Sequence, residues 1–210
     1  MQSGESVGTM QVGVLARSAQ QSMLRGAGIV VAGSALIALC AHISFPLYFT
    51  PVPVTLQPFA VLLLAMLLKP REAVATMVAY LAEGAMGLPV FTPQGLGGVA
   101  QLLGPTGGYL LSYPVVALLV SSLWRGAGRI GGRSFSSGLA IAGAGSLVTL
   151  GLGAAWLGVL THAGPLTLLN HAVLPFLPAD ALKVAAAAAI GWKVSRVREQ
   201  RKPAAQEVRY

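Results

Sequence analysis

The chain has 210 residues, 55% of them hydrophobic and 10% charged, with 14 Lys and Arg against 6 Asp and Glu and a net charge of +8. That composition excludes an ordinary soluble domain, and a single cysteine, Cys40, excludes a disulfide framework and a thiolate metal cluster. None of Lys69, Lys183, Lys193 or Lys202 follows a glycine, so there is no Walker A motif and no route to ATP hydrolysis through a P-loop.

In chain order, residues 1–25 read as a mobile cytoplasmic arm. A cleavable signal peptide is not expected, because the first apolar run begins only after these polar and small residues and is long enough to span a bilayer. The expected fold class is all-α: a polytopic membrane protein with six transmembrane helices, over 26–45, 55–69, 73–88, 105–124, 137–160 and 172–192. The second and third are short and are expected to tilt or lean on their neighbours. Residues 26–192 form one membrane domain, and 193–210 a basic cytoplasmic tail suited to touching anionic lipid. In the first helix Cys40 reads as a small core residue. Gly28, Ala32 and Leu36, with Ser34, Ala38 and His42, recur every four residues. Such a strip of small side chains lets another helix approach closely, either within the bundle or from a partner membrane protein.

The basic residues set the orientation. Arg17 and Arg25 precede the first helix, Lys69 and Arg71 sit in the 69–72 turn, and Arg125, Arg129 and Arg133 in the 125–136 loop. The tail carries Lys193, Arg196, Arg198, Arg201, Lys202 and Arg209. The alternate connections, 46–54, 89–104 and 161–171, contain no Lys or Arg. The positive-inside rule therefore places both termini in the cytoplasm. The charge is topological and gives no support to a nucleic-acid partner.

The outward connections read PLYFTPVPVTLQP (46–58), LPVFTPQGLGGVAQLLGPTGGY (88–109) and THAGPLTLLNH (161–171). Proline fixes φ and glycine permits close backbone approach, so these uncharged stretches suit rigid segments folded over a cavity. Irregular backbone at membrane depth is tolerated where it is buried in protein or lines a cavity. The plainer alternative is that they only punctuate helices. It is weakest for the second loop, where Gly95, Gly97, Gly98, Gly104, Gly107 and Gly108 precede Tyr109. A Cβ at Gly107 or Gly108 is expected to strain a positive φ or to block backbone approach to a ligand.

Asp180 and Lys183, three residues apart in the last helix, share a face and can pair. A lone charge there would cost about 2.5–3.5 kcal/mol on insertion scales. Counted from Pro175, Asp180 lies about 8 Å along the helix from its outer end. The pair is either a structural salt bridge fixing helix register or a site. As a site it suits a small ligand, the ammonium holding a carboxylate and the carboxylate accepting N–H donors of a urea or amide. Glu83 is a third candidate charge, facing either the cavity or the solvated boundary. His42, His162 and His171 are too scattered for a metal set, and no metal site is expected.

The runs PVPVTLQP (51–58), YLAEGAMGLPVF (80–91), GPTGGYL (104–110) and PADALK (178–183) resemble the BioY family, the biotin-binding S component of energy-coupling factor transporters. The resemblance spans about residues 28–192. It implies a six-helix fold with a biotin pocket near the outer face and an outer loop, here 46–58, that closes over ligand. It places Asp180 and Lys183 at the family's ligand-contacting Asp and Lys, with Tyr109, Thr106, Gly107, Gly108, Gln101 and Gln57 among the ligand-binding residues. Some relatives carry a basic residue in the glycine-rich loop; this chain reads Gln94, Gly95, Leu96 there, leaving Lys183 alone or polar groups such as Gln101 for the carboxylate. Glu83 stands where many relatives are uncharged.

The resemblance also implies a transmembrane coupling subunit and cytoplasmic ATP-binding subunits as partners, no cofactor besides biotin as transported ligand, and a multi-pass location in the inner (plasma) membrane. The leading reading is a substrate-binding subunit for biotin uptake. The alternative is a solitary facilitator or channel for biotin or a related small carboxylate. An enzyme using Asp180 and Lys183 as acid and base is not expected, since no nucleophile with an adjacent base is evident.

Overall fold

The computed structural model describes residues 3–201, with side-chain environments from Gln20 onward. Lys202 and Arg209 of the expected tail lie outside the described residues, as does the side chain of Arg17. The fold is helical apart from one small hairpin. Helix α1 (Ser3–His42) is followed by strands β1 (Ser44–Phe45) and β2 (Val54–Thr55), then α2 (Gln57–Leu67), α3 (Pro70–Ala85) and α4 (Gly98–Leu103). The chain continues through α5 (Gly107–Arg129), α6 (Phe135–Thr161), α7 (Pro165–Leu168) and α8 (Leu177–Gln200).

Among the described residues, four helical stretches are long and apolar enough to cross a membrane: Gln20–His42, Gly107–Arg129, Phe135–Thr161 and Pro165–Gln200. Helices α2 and α3, where two further spans are expected, have 11 and 16 residues. At 1.5 Å per residue α2 covers only about 16 Å, roughly half a hydrocarbon core. Its burial explains why so short a helix is stable here: Ala60, Val61, Leu62, Leu63, Leu64, Ala65 and Met66 are all buried. A helix apolar all round belongs inside a bundle. Only Leu68 and Lys69 separate α2 from α3. Pro70 occupies the first turn of α3, and the Glu72 carboxylate accepts the Lys69 backbone N–H at 3.0 Å, so the chain reverses sharply here.

The three connections free of Lys and Arg hold structure that periodicity does not reveal. The first is a two-residue hairpin, Ser44 opposite Thr55 and Phe45 opposite Val54. The second contains α4, and the third contains α7 and an irregular helix. The last regular helix begins two residues after Pro175, the proline from which its outer end was counted. A π-helical turn (Leu169–Val173) and a 3-10 turn (Leu174–Phe176) precede α8, which starts at Leu177. Asp180 is thereby in the first turn, where the helix dipole favours a negative charge.

Glycines bring α5 and α6 together. A Cβ at Gly108 would lie 2.2 Å from Trp156 Cβ and 2.8 Å from the Leu152 carbonyl, and one at Gly107 would lie 1.9 Å from the Leu102 carbonyl. Neither glycine has positive φ, and neither is on the cavity wall described below. The expected positive φ at these glycines is therefore corrected: Gly107 makes room for α4 and Gly108 for α6. Helix α6 begins with a reciprocal cap, Ser134 Oγ accepting from Ser137 N at 3.1 Å and Ser137 Oγ from Ser134 N at 2.9 Å. It ends at His162 in left-handed conformation, φ 52°.

The α5–α6 contact makes a prediction. Gly108→Val should lower the thermal unfolding midpoint of the purified protein through overpacking worth about 1–3 kcal/mol. An unchanged midpoint would show that the two helices do not meet at this glycine.

Candidate ligand-binding site

The N-terminal ends of α2, α5 and α8 and the middle of α6 surround a cavity. Its polar centre is the pair Asp180 and Lys183, respectively 5% and 8% exposed. Lys183 Nζ donates to Asp180 Oδ1 at 2.8 Å, and Ser146 Oγ of α6 donates to Asp180 Oδ2 at 2.8 Å. Both carboxylate oxygens thus have donors. The ammonium retains donor capacity beyond its one carboxylate contact.

Each wall has a local cause. Tyr109 in the first turn of α5 donates from its hydroxyl to the Ala172 carbonyl at 2.8 Å, within the π-helical turn. Irregular helix frees carbonyls from the regular ladder, and here one of them fixes a tyrosine. On its other side Tyr109 lies against Gly153, where a Cβ would come 2.3 Å from the ring. Pro114 inside α5 denies the Leu110 carbonyl its usual helical N–H, and Leu110 lines the cavity. Phe176, Leu150, Val52 and Pro53 supply apolar surface.

Loops 46–58 and 88–109 close over this space and are tied together. Ser44 Oγ of β1 donates to Gln94 Oε1 at 2.7 Å, joining the hairpin to the glycine-rich loop. That loop is in turn held to α3: Phe91 packs edge-on to Tyr80 with ring centroids 5.4 Å apart and fills the space left by Gly84. Tyr80 hydroxyl donates to the Val90 carbonyl at 3.0 Å and accepts from Gln57 Nε2 at 2.5 Å. Val52, Pro53 and Thr55 of the first loop and Thr92 of the second reach the cavity. The apex of the hairpin loop is exposed, with Tyr48 and Phe49 uncovered.

Of the residues singled out from sequence, Asp180, Lys183, Tyr109, Thr106, Gln101 and Gln57 line this one cavity. Gln101 is 2% exposed; its Oε1 accepts from Gly97 N at 3.2 Å, while its Nε2 has no partner among the described residues. Gly95 makes room for it, since a Cβ there would meet the amide at 2.3 Å. Glu83 is placed elsewhere. It accepts from Ser34 of α1 and is not part of the lining.

The sequence reading did not single out Ser146, Thr149, Tyr113, Phe176 or Thr92. A faint signal existed for the first two: Ser146 and Thr149 are the only hydroxyls in the middle of α6, three residues apart on one face.

The helical membrane architecture and the buried cavity, with its charged pair under two tethered loops, define a membrane-embedded binder of a small polar ligand. The chain belongs to the BioY family, whose profile matches residues 12–200. It is similar to "Biotin transporter BioY2" of Lactococcus lactis subsp. cremoris, 35% identical over 164 residues, covering 78% of this chain and 86% of that protein. It is 34% identical to "Biotin transporter BioY" of Thermotoga maritima over 80% of this chain and 94% of that one. Among solved structures it matches a crystal structure of the S-component for biotin from an ECF-type ABC transporter. That match has TM-score 0.76 and 26% identity over 84% of this chain and 93% of the other.

Ser146→Ala tests the inner hydrogen bonding of the site. Leaving Asp180 Oδ2 without its donor in a buried setting should cost about 1–3 kcal/mol. A lowered unfolding midpoint is expected, whereas an unchanged midpoint would mean that water or a relaxed Lys183 replaces the hydroxyl.

Proposed function

We propose that this protein is the biotin-binding S component of an uptake system, capturing biotin at the outer face of the plasma membrane and delivering it inward. The observation that carries the reading is the Asp180–Lys183 pair on the wall of a largely apolar cavity in a BioY-family chain. Biotin offers a carboxylate, a ureido group with two N–H donors and an apolar thioether ring. Lys183 supplies a cation for the acid, Asp180 and the Gln101 amide nitrogen, which has no partner among the described residues, supply polar contacts, and Tyr109, Phe176, Leu110 and Leu150 supply the apolar surface. Thr106 and Gln57 complete the polar rim. The second cation of some relatives' glycine-rich loop has no counterpart in residues 89–104.

The topology proposed is six passes, formed by α1, α2, α3, α5, α6 and α8, with both termini cytoplasmic. It rests on the alternation of basic and base-free connections. The cavity then opens outward under loops 46–58 and 88–109, and α4 and α7 are short helices of the outer face.

Energising partners are proposed to be a transmembrane coupling subunit and cytoplasmic ATP-binding subunits. On α1, Gly28 and Ala32 are uncovered, while Ser34 is buried against Glu83 of α3, so the two sets of small residues face different surroundings. The uncovered set is the proposed docking strip for the coupling subunit.

Lys183→Ala should weaken biotin binding at least tenfold, matching loss of a charge-assisted contact of about 1.5–3 kcal/mol. It should also abolish the preference for biotin over its methyl ester. Asp180→Asn should weaken binding less, because the amide still accepts one N–H. Calorimetric titration of both ligands checks these outcomes, and a variant that still prefers the acid would remove Lys183 from the carboxylate site.

Ala32→Trp should leave biotin binding intact while uptake collapses in cells that contain the energising subunits. Uptake in cells lacking those subunits, unaffected by the substitution, would favour a solitary facilitator. Loss of binding would place the strip in the bundle's own packing.

A further inference from the structure

Helices α2, α5 and α8 open at their N-terminal ends onto the ligand cavity, and at their C-terminal ends they border a second cavity. Its lining includes Trp124 and Arg125 of α5, Arg133 of the following turn, and Arg198 and Glu199 of α8. Three guanidinium groups thus share one void with a single carboxylate. Like charges at that spacing repel, and the C-terminal helix dipoles offset only part of the repulsion.

The arginines are held but not saturated. Arg133 Nε donates to the Trp124 carbonyl at 3.2 Å, its guanidinium lies 5.5 Å from the Trp124 ring centroid, and its Nη1 is 3.5 Å from Glu199 Oε1. The side chain crosses α5 at Gly128, where a Cβ would meet Arg133 Cζ at 2.5 Å, so that glycine creates its berth. Arg198 Nη1 donates to the Leu67 carbonyl at 3.0 Å, capping α2. Arg125 Nε is buried with no hydrogen-bond partner among the described residues. Each guanidinium carries five donors in a planar fork, more than the contacts above engage.

We propose that this cavity is a phosphate site, filled from the bilayer by the headgroup phosphodiester of an anionic phospholipid. Guanidinium forks match phosphate oxygens in pairs, which suits several arginines converging on one void. The depth is that of headgroups: Trp124 lines the cavity, and Trp192 stands beside it with Arg196 stacked 5.9 Å from its ring, tryptophan being an interfacial residue. The proposal rests on the six-pass topology only for the leaflet that supplies the lipid, which is then the cytoplasmic one. It does not depend on biotin.

Full-length protein in detergent, titrated with phosphatidylglycerol or phosphatidylcholine and observed by native mass spectrometry, tests the site. Wild type should retain phosphatidylglycerol selectively, and Arg125→Gln and Arg198→Gln should each weaken that retention roughly tenfold. Arg196→Gln removes the same charge from an exposed position outside the lining and should retain the lipid as wild type does. Cooperative thermal unfolding identifies which variants are folded, and the two cavity variants guard against failure of either one. Equal weakening in Arg196→Gln, or no difference between wild type and the cavity variants, overturns the site. Inorganic phosphate that protects wild type against unfolding but not Arg125→Gln, without phosphatidylglycerol selectivity, overturns the lipid as its source. Biotin titration on the same samples reports separately on the ligand cavity.

Discussion

A lysine and an aspartate buried in an apolar bundle cannot be left to chance, because an uncompensated charge in such a setting costs several kcal/mol. Lys183 and Asp180 compensate one another at 2.8 Å, and the remaining carboxylate oxygen takes the Ser146 hydroxyl. That requirement reaches well beyond the pair. It needs α6 to present its mid-helix hydroxyl to α8, and α8 to start at Leu177 so that Asp180 sits in the positive first turn. The irregular helix before Leu177 satisfies the second need, and the carbonyl it frees at Ala172 anchors Tyr109 across the cavity.

Close approach of helices carries the rest. Gly153 admits the Tyr109 ring, Gly108 admits Trp156, Gly84 admits Phe91, and Gly95 admits the Gln101 amide. In each case the space of a missing side chain is filled by a large or polar neighbour that shapes the cavity or its loops. Trp156 adds a further tie by donating to the Gly104 carbonyl at 2.9 Å. In a lipid environment, where apolar side chains gain little from leaving the solvent, this fit between small and large residues is a principal source of cohesion.

Much of this was legible in the sequence. Charge scarcity gave the environment, and a lone Asp and Lys at helical spacing gave the heart of the cavity. Gln57, Thr106 and Tyr109 are on its wall because loop boundaries next to proline and glycine put them at helix ends. Hydropathy did not disclose the hairpin at Ser44–Thr55, whose two-residue strands are too short for alternation to register. Nor did it disclose the π-helical turn, since deviation from 3.6 residues per turn leaves no compositional trace. Glu83 was ambiguous for a reason: a carboxylate one turn from a boundary can face cavity, solvent or a neighbour, and only the position of Ser34 on α1 decides. The glycines at 107 and 108 were noticed, but their neighbours, Leu102 and Trp156, are set by packing across the chain.

The central claim is that the cavity around Asp180 and Lys183 is a biotin site, and the ligand itself gives the most direct test. Full-length protein purified in mild detergent from cells supplied with biotin can be denatured and its released small molecules identified by mass. The account predicts biotin, in amounts approaching one per chain. A different compound in that proportion, or no biotin released from protein that is folded and able to bind, would contradict it.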